Sequence, residues 1–254
     1  MIGRIAIFLY GVVAYSMFFG TILYAIGFVG KFGVPKSIDG GVEGPVGMAV
    51  LVNLSILGLF AVQHMIMARP GFKRWWTGII PAAMERSTFV ILASAILMLL
   101  FWQWRPINAV VWAVEHPAAR AVLMALSITG FGIVFYSSFL IDHFDLFGLR
   151  QVWLHLRDRA YEQHPFMERS LYRIVRHPLM LGFLIAFWST PTMTAGHLLF
   201  AIGTTGYILI GTRMEERDLV RLHGAEYEAY RRRTAMLVPW PKRGETRVPA
   251  EAAA

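Results

Sequence analysis

Apolar residues in this chain gather in long runs, and most of the charge sits in the short segments between them. Four runs, about Ile5–Gly30, Val46–Ala68, Ser87–Trp104 and Ala121–Ile141, each approach the ~20 residues a helix needs to cross ~30 Å of hydrocarbon. The first is too long for a signal-peptide core and lacks a small-residue cleavage site after it, so it reads as a span. A fifth apolar region, Pro178 to Thr212, is broken by Ser189-Thr190-Pro191-Thr192-Met193-Thr194, where a proline among hydroxyl residues marks a turn. Its first arm, Pro178–Trp188, would rise only ~17 Å, so it is either re-entrant or begins well inside the membrane. The predicted fold is therefore all-α: a polytopic membrane bundle of four spans plus a C-terminal helical hairpin, five to six transmembrane helices in all.

Composition sharpens this picture. Of 254 residues, 56% are hydrophobic and 16% charged, and the mean hydropathy is +0.52. That balance excludes an ordinary soluble enzyme and makes the lipid bilayer the expected surroundings. The net charge of +8 would raise the question of nucleic acid in a soluble protein, but here topology explains it and no nucleic-acid partner is expected. Twenty Lys and Arg fall in the amino terminus, the second and fourth loops and the tail, against Lys31, Lys36, Arg105 and Arg120 on the other side. The basic side, with both termini, is expected to face the cytoplasm. The absence of cysteine rules out disulfides, thiolate metal sites and a cysteine nucleophile. A single domain over 1–254 is expected, with 1–141 forming the four spans, 142–243 the hairpin and its flanking segments, and 244–254 a disordered tail.

Ionisable groups at membrane depth are costly unless they face a cavity or a partner. Four such groups converge on the basic side: Gln63-His64, Asp142-His143-Phe144-Asp145, Arg176-His177-Pro178 and Arg213-Met214-Glu215-Glu216. A shared polar pocket is the economical reading. Pro178 suits the first turn of a helix, so the amides that follow it, beside Arg176 and His177, present partial positive charge to a carboxylate. Gly182, one turn on, leaves room for a ligand or another helix. Glu215 and Glu216, at the end of an apolar run, are poorly placed for the helix dipole. A ligand bringing an ammonium group and ribose hydroxyls would offset that cost, as would pairing with Arg213, Arg217 or Arg221.

The Arg-His-Pro helix start, the tight apolar hairpin, Glu-Glu at its exit and the tail Gly224-Ala225-Glu226-Tyr227-Glu228-Ala229-Tyr230 together resemble the isoprenylcysteine carboxyl methyltransferase superfamily of membrane enzymes, over about residues 166–240. The resemblance implies S-adenosylmethionine bound by Tyr172, His177, Pro178, Leu179, Met180 and Glu215, with Arg176, Gly182 and Glu216 beside them. Its carboxylate is expected near the Pro178 helix start, and its ribose or ammonium near Glu215 or Glu216. Prenylcysteine enzymes usually carry a substrate-binding arginine one turn before the acidic pair; Gly211 stands there, with Arg213 as the candidate replacement.

Further stretches, among them Gln63-His64 to Lys73, Trp102-Gln103-Trp104-Arg105-Pro106 and His143 to Gln151, are similar to a narrower group, the bacterial methanethiol S-methyltransferases. That likeness implies an inner-membrane enzyme with its active site facing the cytoplasm. It would transfer a methyl group to a small volatile thiol, methanethiol, forming dimethyl sulfide. A thiolate is the competent nucleophile, so a base or a cationic field is needed. His143 is the first candidate base, oriented by Asp142 or Asp145; Arg150 and Arg176 could instead act through their charge. His64, Trp188 and Arg213 are candidates for the substrate pocket, with Trp102 and Trp104 as further apolar wall. Two alternatives stand: another thiol or a prenylcysteine carboxylate as acceptor, and, in a different class, a haem protein ligated by pairs among His64, His143, His177 and His197.

Overall fold

Five helices are long and apolar enough to cross a bilayer in the computed structural model of the chain, which describes residues 1–162 and 167–239. They are α1 (Ile2–Gly30), α2 (Val46–Met67), α4 (Glu85–Gln103, entered through a short 3₁₀ turn at Ala82–Met84), α5 (Pro117–Ile141) and α9 (Ala195–His223). A sixth apolar helix, α8 (Pro178–Trp188), is shorter. The predicted membrane bundle of four spans plus a hairpin is the observed architecture. Small helices fill the basic end: α3 (Pro70–Trp76), α6 (His143–Leu146), α7 (Leu149–Leu156) and α10 (Ala225–Arg233). The tail from 244 to 254, expected to be disordered, lies outside the described residues.

Local chemistry sets the helix boundaries. Pro117 and Pro178 occupy the first turns of α5 and α8, where the missing N–H costs nothing. The Thr194 side chain caps α9 by accepting from the His197 amide at 3.1 Å. At the far end, β1 (Val110–Ala113) pairs antiparallel with β2 (Thr192–Thr194) and ties the α4–α5 loop to the turn of the hairpin. Beneath that pair sits the main core, where Phe28, Ile38, Leu100 and Trp104 are almost fully buried. Asn53, buried inside α2, exchanges two hydrogen bonds with the Arg105 backbone (2.8 and 2.9 Å), so its amide is satisfied within the membrane region.

The position of α8 governs the site. It packs backbone against backbone on α5 at Gly182 and Gly130: a Cβ on either glycine would lie 2.6 Å from the other's carbonyl oxygen. The space Gly182 leaves is therefore taken by a helix. Ser127 adds a hydrogen bond to the Ala186 carbonyl at 2.9 Å. From Gly130, α5 runs on to Ile141, about 16 Å, whereas α8 extends only about 6 Å from Gly182 back to Pro178. The start of α8 thus lies about 10 Å inside the end of α5.

Candidate active site

That recessed helix start borders one cavity of about 560 Å³. At the polar mouth the cavity meets His143 and Asp145 of α6, Tyr172, His177 before α8, and Glu215 of α9. Leu179 and Met180 of the first turn of α8, His64 of α2 and Arg176 line it as well. Four stretches distant in sequence are thereby brought together, as the polar residues at the span ends predicted.

The two adjacent acids have different surroundings. Glu216 is buried and holds the Arg176 guanidinium, with Nε to Oε1 at 2.6 Å; His177 Nε2 lies 3.2 Å from the same oxygen and Arg231 Nε 3.6 Å from the other. Arg176 gives its Nη1 to the carbonyls of Arg231 and Thr234, so its donors are largely committed within the protein. The backbone follows the same course: the amides of Arg176 and His177 donate to Ala235 and Met236, pinning the residues after α10 beside the start of α8. Glu215, by contrast, is half exposed, lines the cavity, and has His177 Nδ1 at 3.8 Å. Helix α9 continues two turns beyond the pair to His223, so the acids do not sit at the negative end of the dipole. What offsets Glu216 is the pair Arg176 and Arg231, the latter from α10, with His177 beside them; Arg213 and Arg217 are exposed.

His143 is nearly fully buried and follows a break in the backbone. Asp142, at φ 149°, adopts a conformation rare for L residues; it ends α5, and its carboxylate caps α6 by accepting from the Asp145 amide at 3.0 Å. The imidazole then stacks on Phe139, 4.3 Å between centroids, and is hydrogen-bonded through both nitrogens: Nδ1 to Ser138 Oγ (2.8 Å) and Nε2 to the Tyr15 hydroxyl (2.9 Å). Because Ser138 spends its own proton on the Phe135 carbonyl (2.7 Å), its oxygen accepts from Nδ1–H, and the lone pair lies on Nε2. Burial lowers the His143 pKa, with Asp142 pulling more weakly the other way. The orienting groups are therefore two hydroxyls; Asp145 is engaged with Arg150 (3.0 Å) and the Tyr161 hydroxyl (3.1 Å). Each arginine considered as a source of cationic field has a carboxylate against it, Arg150 with Asp145 and Arg176 with Glu216.

Other candidates lie apart. Trp188 is partly exposed at the far end of α8, giving its indole N–H to Thr205 at 3.0 Å. Trp104 is buried in the core and bonded to the Ile38 carbonyl, and Trp102 is exposed, so the cavity wall is built from phenylalanines rather than tryptophans. His64 stays at the cavity, packed on Phe89 at 4.6 Å and edge-on to Tyr207, with a buried Nδ1 that has no hydrogen-bond partner among the described residues. His197 is at the opposite end, with Nε2 2.9 Å from the Phe187 carbonyl. With His143 engaged at both nitrogens, a haem-ligating pair is not favoured. Sequence reasoning missed Tyr15, Ser138 and Tyr207, which read as ordinary residues of apolar helices; their partners are visible only in three dimensions.

The family described as NnrU protein matches residues 52–239. A methanethiol S-methyltransferase of Mycobacterium tuberculosis is 55% identical over 235 residues, covering 92% of this chain and 96% of its own length. Methanethiol S-methyltransferase 2 of Bradyrhizobium diazoefficiens is 55% identical over 239 residues (94% and 92%). The chain belongs to the methanethiol S-methyltransferase family. A cyanobacterial member, from Crocosphaera subtropica, is 46% identical and covers 94% of both chains. No solved structure matches the chain significantly.

Proposed function

We propose that the protein transfers a methyl group from S-adenosylmethionine to methanethiol, forming dimethyl sulfide and S-adenosylhomocysteine, at the basic end of the bundle facing the cytoplasm. The observation that carries this reading is the division of labour between the two acids: Glu216 locks Arg176 and His177 in place, while Glu215 lines the cavity together with Leu179 and Met180 of the first turn of α8. That donor set fits the nucleoside substrate. An ionised carboxylate accepts from an ammonium group or from ribose hydroxyls, and the amides of Leu179 and Met180, which have no acceptor within their helix, suit a carboxylate.

Bound there, S-adenosylmethionine supplies a methyl group on a positively charged sulfur. The chain's residues hold the acceptor and take its proton. A simple thiol has a pKa above the ~8.5 of cysteine and is mostly protonated at neutral pH. His143, kept neutral by burial and fixed as the Nδ1–H tautomer by Ser138, presents a basic Nε2 that Tyr15 covers until a thiol replaces that contact. The phenylalanine wall excludes water, which would otherwise solvate the thiolate and blunt its nucleophilicity. Domain limits and membrane follow the same reading: one membrane domain in the bacterial inner membrane.

Headspace gas chromatography of the purified protein, given S-adenosylmethionine and methanethiol with a prenylcysteine as competitor, tests the assignment. Dimethyl sulfide is the expected product. A prenylcysteine methyl ester, with no sulfide, would overturn it.

A further inference from the structure

The cavity is longer than a one-carbon thiol requires. Its lining follows α9 from His223 back to Phe200, about 34 Å of helix, whereas the groups assigned to methyl transfer gather at the mouth, from Glu215 outward. Inward of Tyr207 lies a lobe roughly 10 Å deep along α9. Ala25 and Val29 of α1, Leu97 and Phe101 of α4, Phe187 of α8 and Phe200 of α9 form its walls. Among the described residues no charged side chain lines it. Thr204 turns its hydroxyl back to the carbonyls of Phe200 (2.7 Å) and Ala201 (3.2 Å), so it offers the lobe its methyl group. The inner end is closed by the core around Phe28 and Trp104. Unfilled apolar volume of this kind is a standing cost to a packed bundle, and an apolar ligand relieves it.

We propose that this lobe binds the alkyl chain of longer straight-chain alkanethiols, and that the protein methylates these as well as methanethiol. The inference rests on the methyl-transfer reading above and extends its substrate class. In the reaction the thiol sulfur forms a bond to the methyl carbon. The bond from that carbon to the donor's sulfonium breaks, its electron pair staying on the departing sulfur. The thiol proton passes to His143 Nε2 and on to solvent. The products are an alkyl methyl sulfide and S-adenosylhomocysteine. The sulfur sits beside His143 Nε2, at the point where Tyr15 of α1 covers it, and each added methylene extends inward from there along the apolar wall toward Phe200.

Each methylene moved from water into such a lobe favours binding by about fourfold, so propanethiol should exceed methanethiol in kcat/KM by roughly fifteenfold. The test uses the full chain in lipid nanodiscs with S-adenosylmethionine and either methanethiol or propanethiol, the sulfides being measured in the headspace. Calorimetry of methyl propyl sulfide on protein without methyl donor reads the lobe independently of turnover. Ala93→Phe, which fills the lobe from α4, should abolish the propanethiol advantage and the sulfide binding while dimethyl sulfide formation stays within about twofold. Ala25→Leu fills the lobe from another helix, with the same expectation, should the larger substitution prevent folding. Dimethyl sulfide without methyl propyl sulfide, or a lobe that takes up no sulfide in calorimetry, overturns the chain site and leaves the methanethiol reading standing. Absence of product from both thiols overturns both.

Discussion

Glu215 and Glu216 are chemically identical neighbours that the fold puts to different uses, and substitution should separate them. Glu215→Ala removes a half-exposed carboxylate with no strong partner, so the protein should stay folded while calorimetry shows S-adenosylhomocysteine affinity falling by about tenfold or more, in line with a lost charge-assisted hydrogen bond. Unchanged affinity would remove Glu215 from the nucleoside site. Glu216→Gln leaves the buried Arg176 guanidinium without its counter-charge, and breaking a buried pair in this way costs about 3–5 kcal/mol. Thermal unfolding should detect that loss; a melting temperature equal to that of the parent would show that the pair holds nothing together. His143 carries the pH prediction. Its folded pKa lies below the ordinary 6.5, so the unfolded chain takes up the proton first as pH falls. The stability due to neutral His143 is full above that value and declines as pH drops below it. Activity should fall on the acid side as His143 takes up a proton, with that limb below the one a free imidazole would give. His143→Ala should lower the rate at least about tenfold. Full activity in that variant would move the proton acceptor elsewhere.

The helices themselves were legible in the sequence because a membrane span is encoded locally, by an unbroken apolar run. The N-terminal boundaries of α5 and α8 follow from prolines that the chain carries in plain view. The site was legible to the extent that it depends on span ends: His64, His143, His177 and Glu215 all reach the cavity. It was not legible where it depends on helical phase or on distant partners. Arg213 lies two residues from Glu215, about 200° around α9, and so faces outward. Arg231, which completes the Glu216 lock, reaches it only because α10 folds back beside the start of α8. Gly182 could serve a ligand or a helix, and Gly130 on α5 decides for the helix. Gly182→Ala should therefore push α8 away from α5 and displace the first-turn amides. A stability loss of about 1–3 kcal/mol is expected together with weaker S-adenosylhomocysteine binding. A variant with both properties intact would show that the crossing has slack and that the helix start is positioned by other contacts.

At the scale of the whole molecule the bundle has two unlike ends. One is closed by the paired strands and the Trp104 core; the other carries most of the basic residues and the polar mouth of the cavity. On the proposed reading the methyl donor is a charged nucleoside that cannot cross the hydrocarbon, so the mouth is expected to open to the cytoplasm, where that donor is made, and the lysine and arginine asymmetry independently predicts the same orientation. A neutral thiol and its sulfide product are under no such constraint, since they partition into the bilayer. The absence of cysteine permits a direct test, because a single introduced thiol is then the only one in the chain. Glu43→Cys lies in the exposed loop between α1 and α2, at the closed end, and Arg159→Cys lies exposed after α7, at the mouth end. In spheroplasts a membrane-impermeant maleimide should label the first and spare the second until the membrane is permeabilised. The opposite pattern would turn the protein over in the membrane and place the cavity mouth in a compartment without its methyl donor, so the orientation and the proposed chemistry stand or fall on the same measurement.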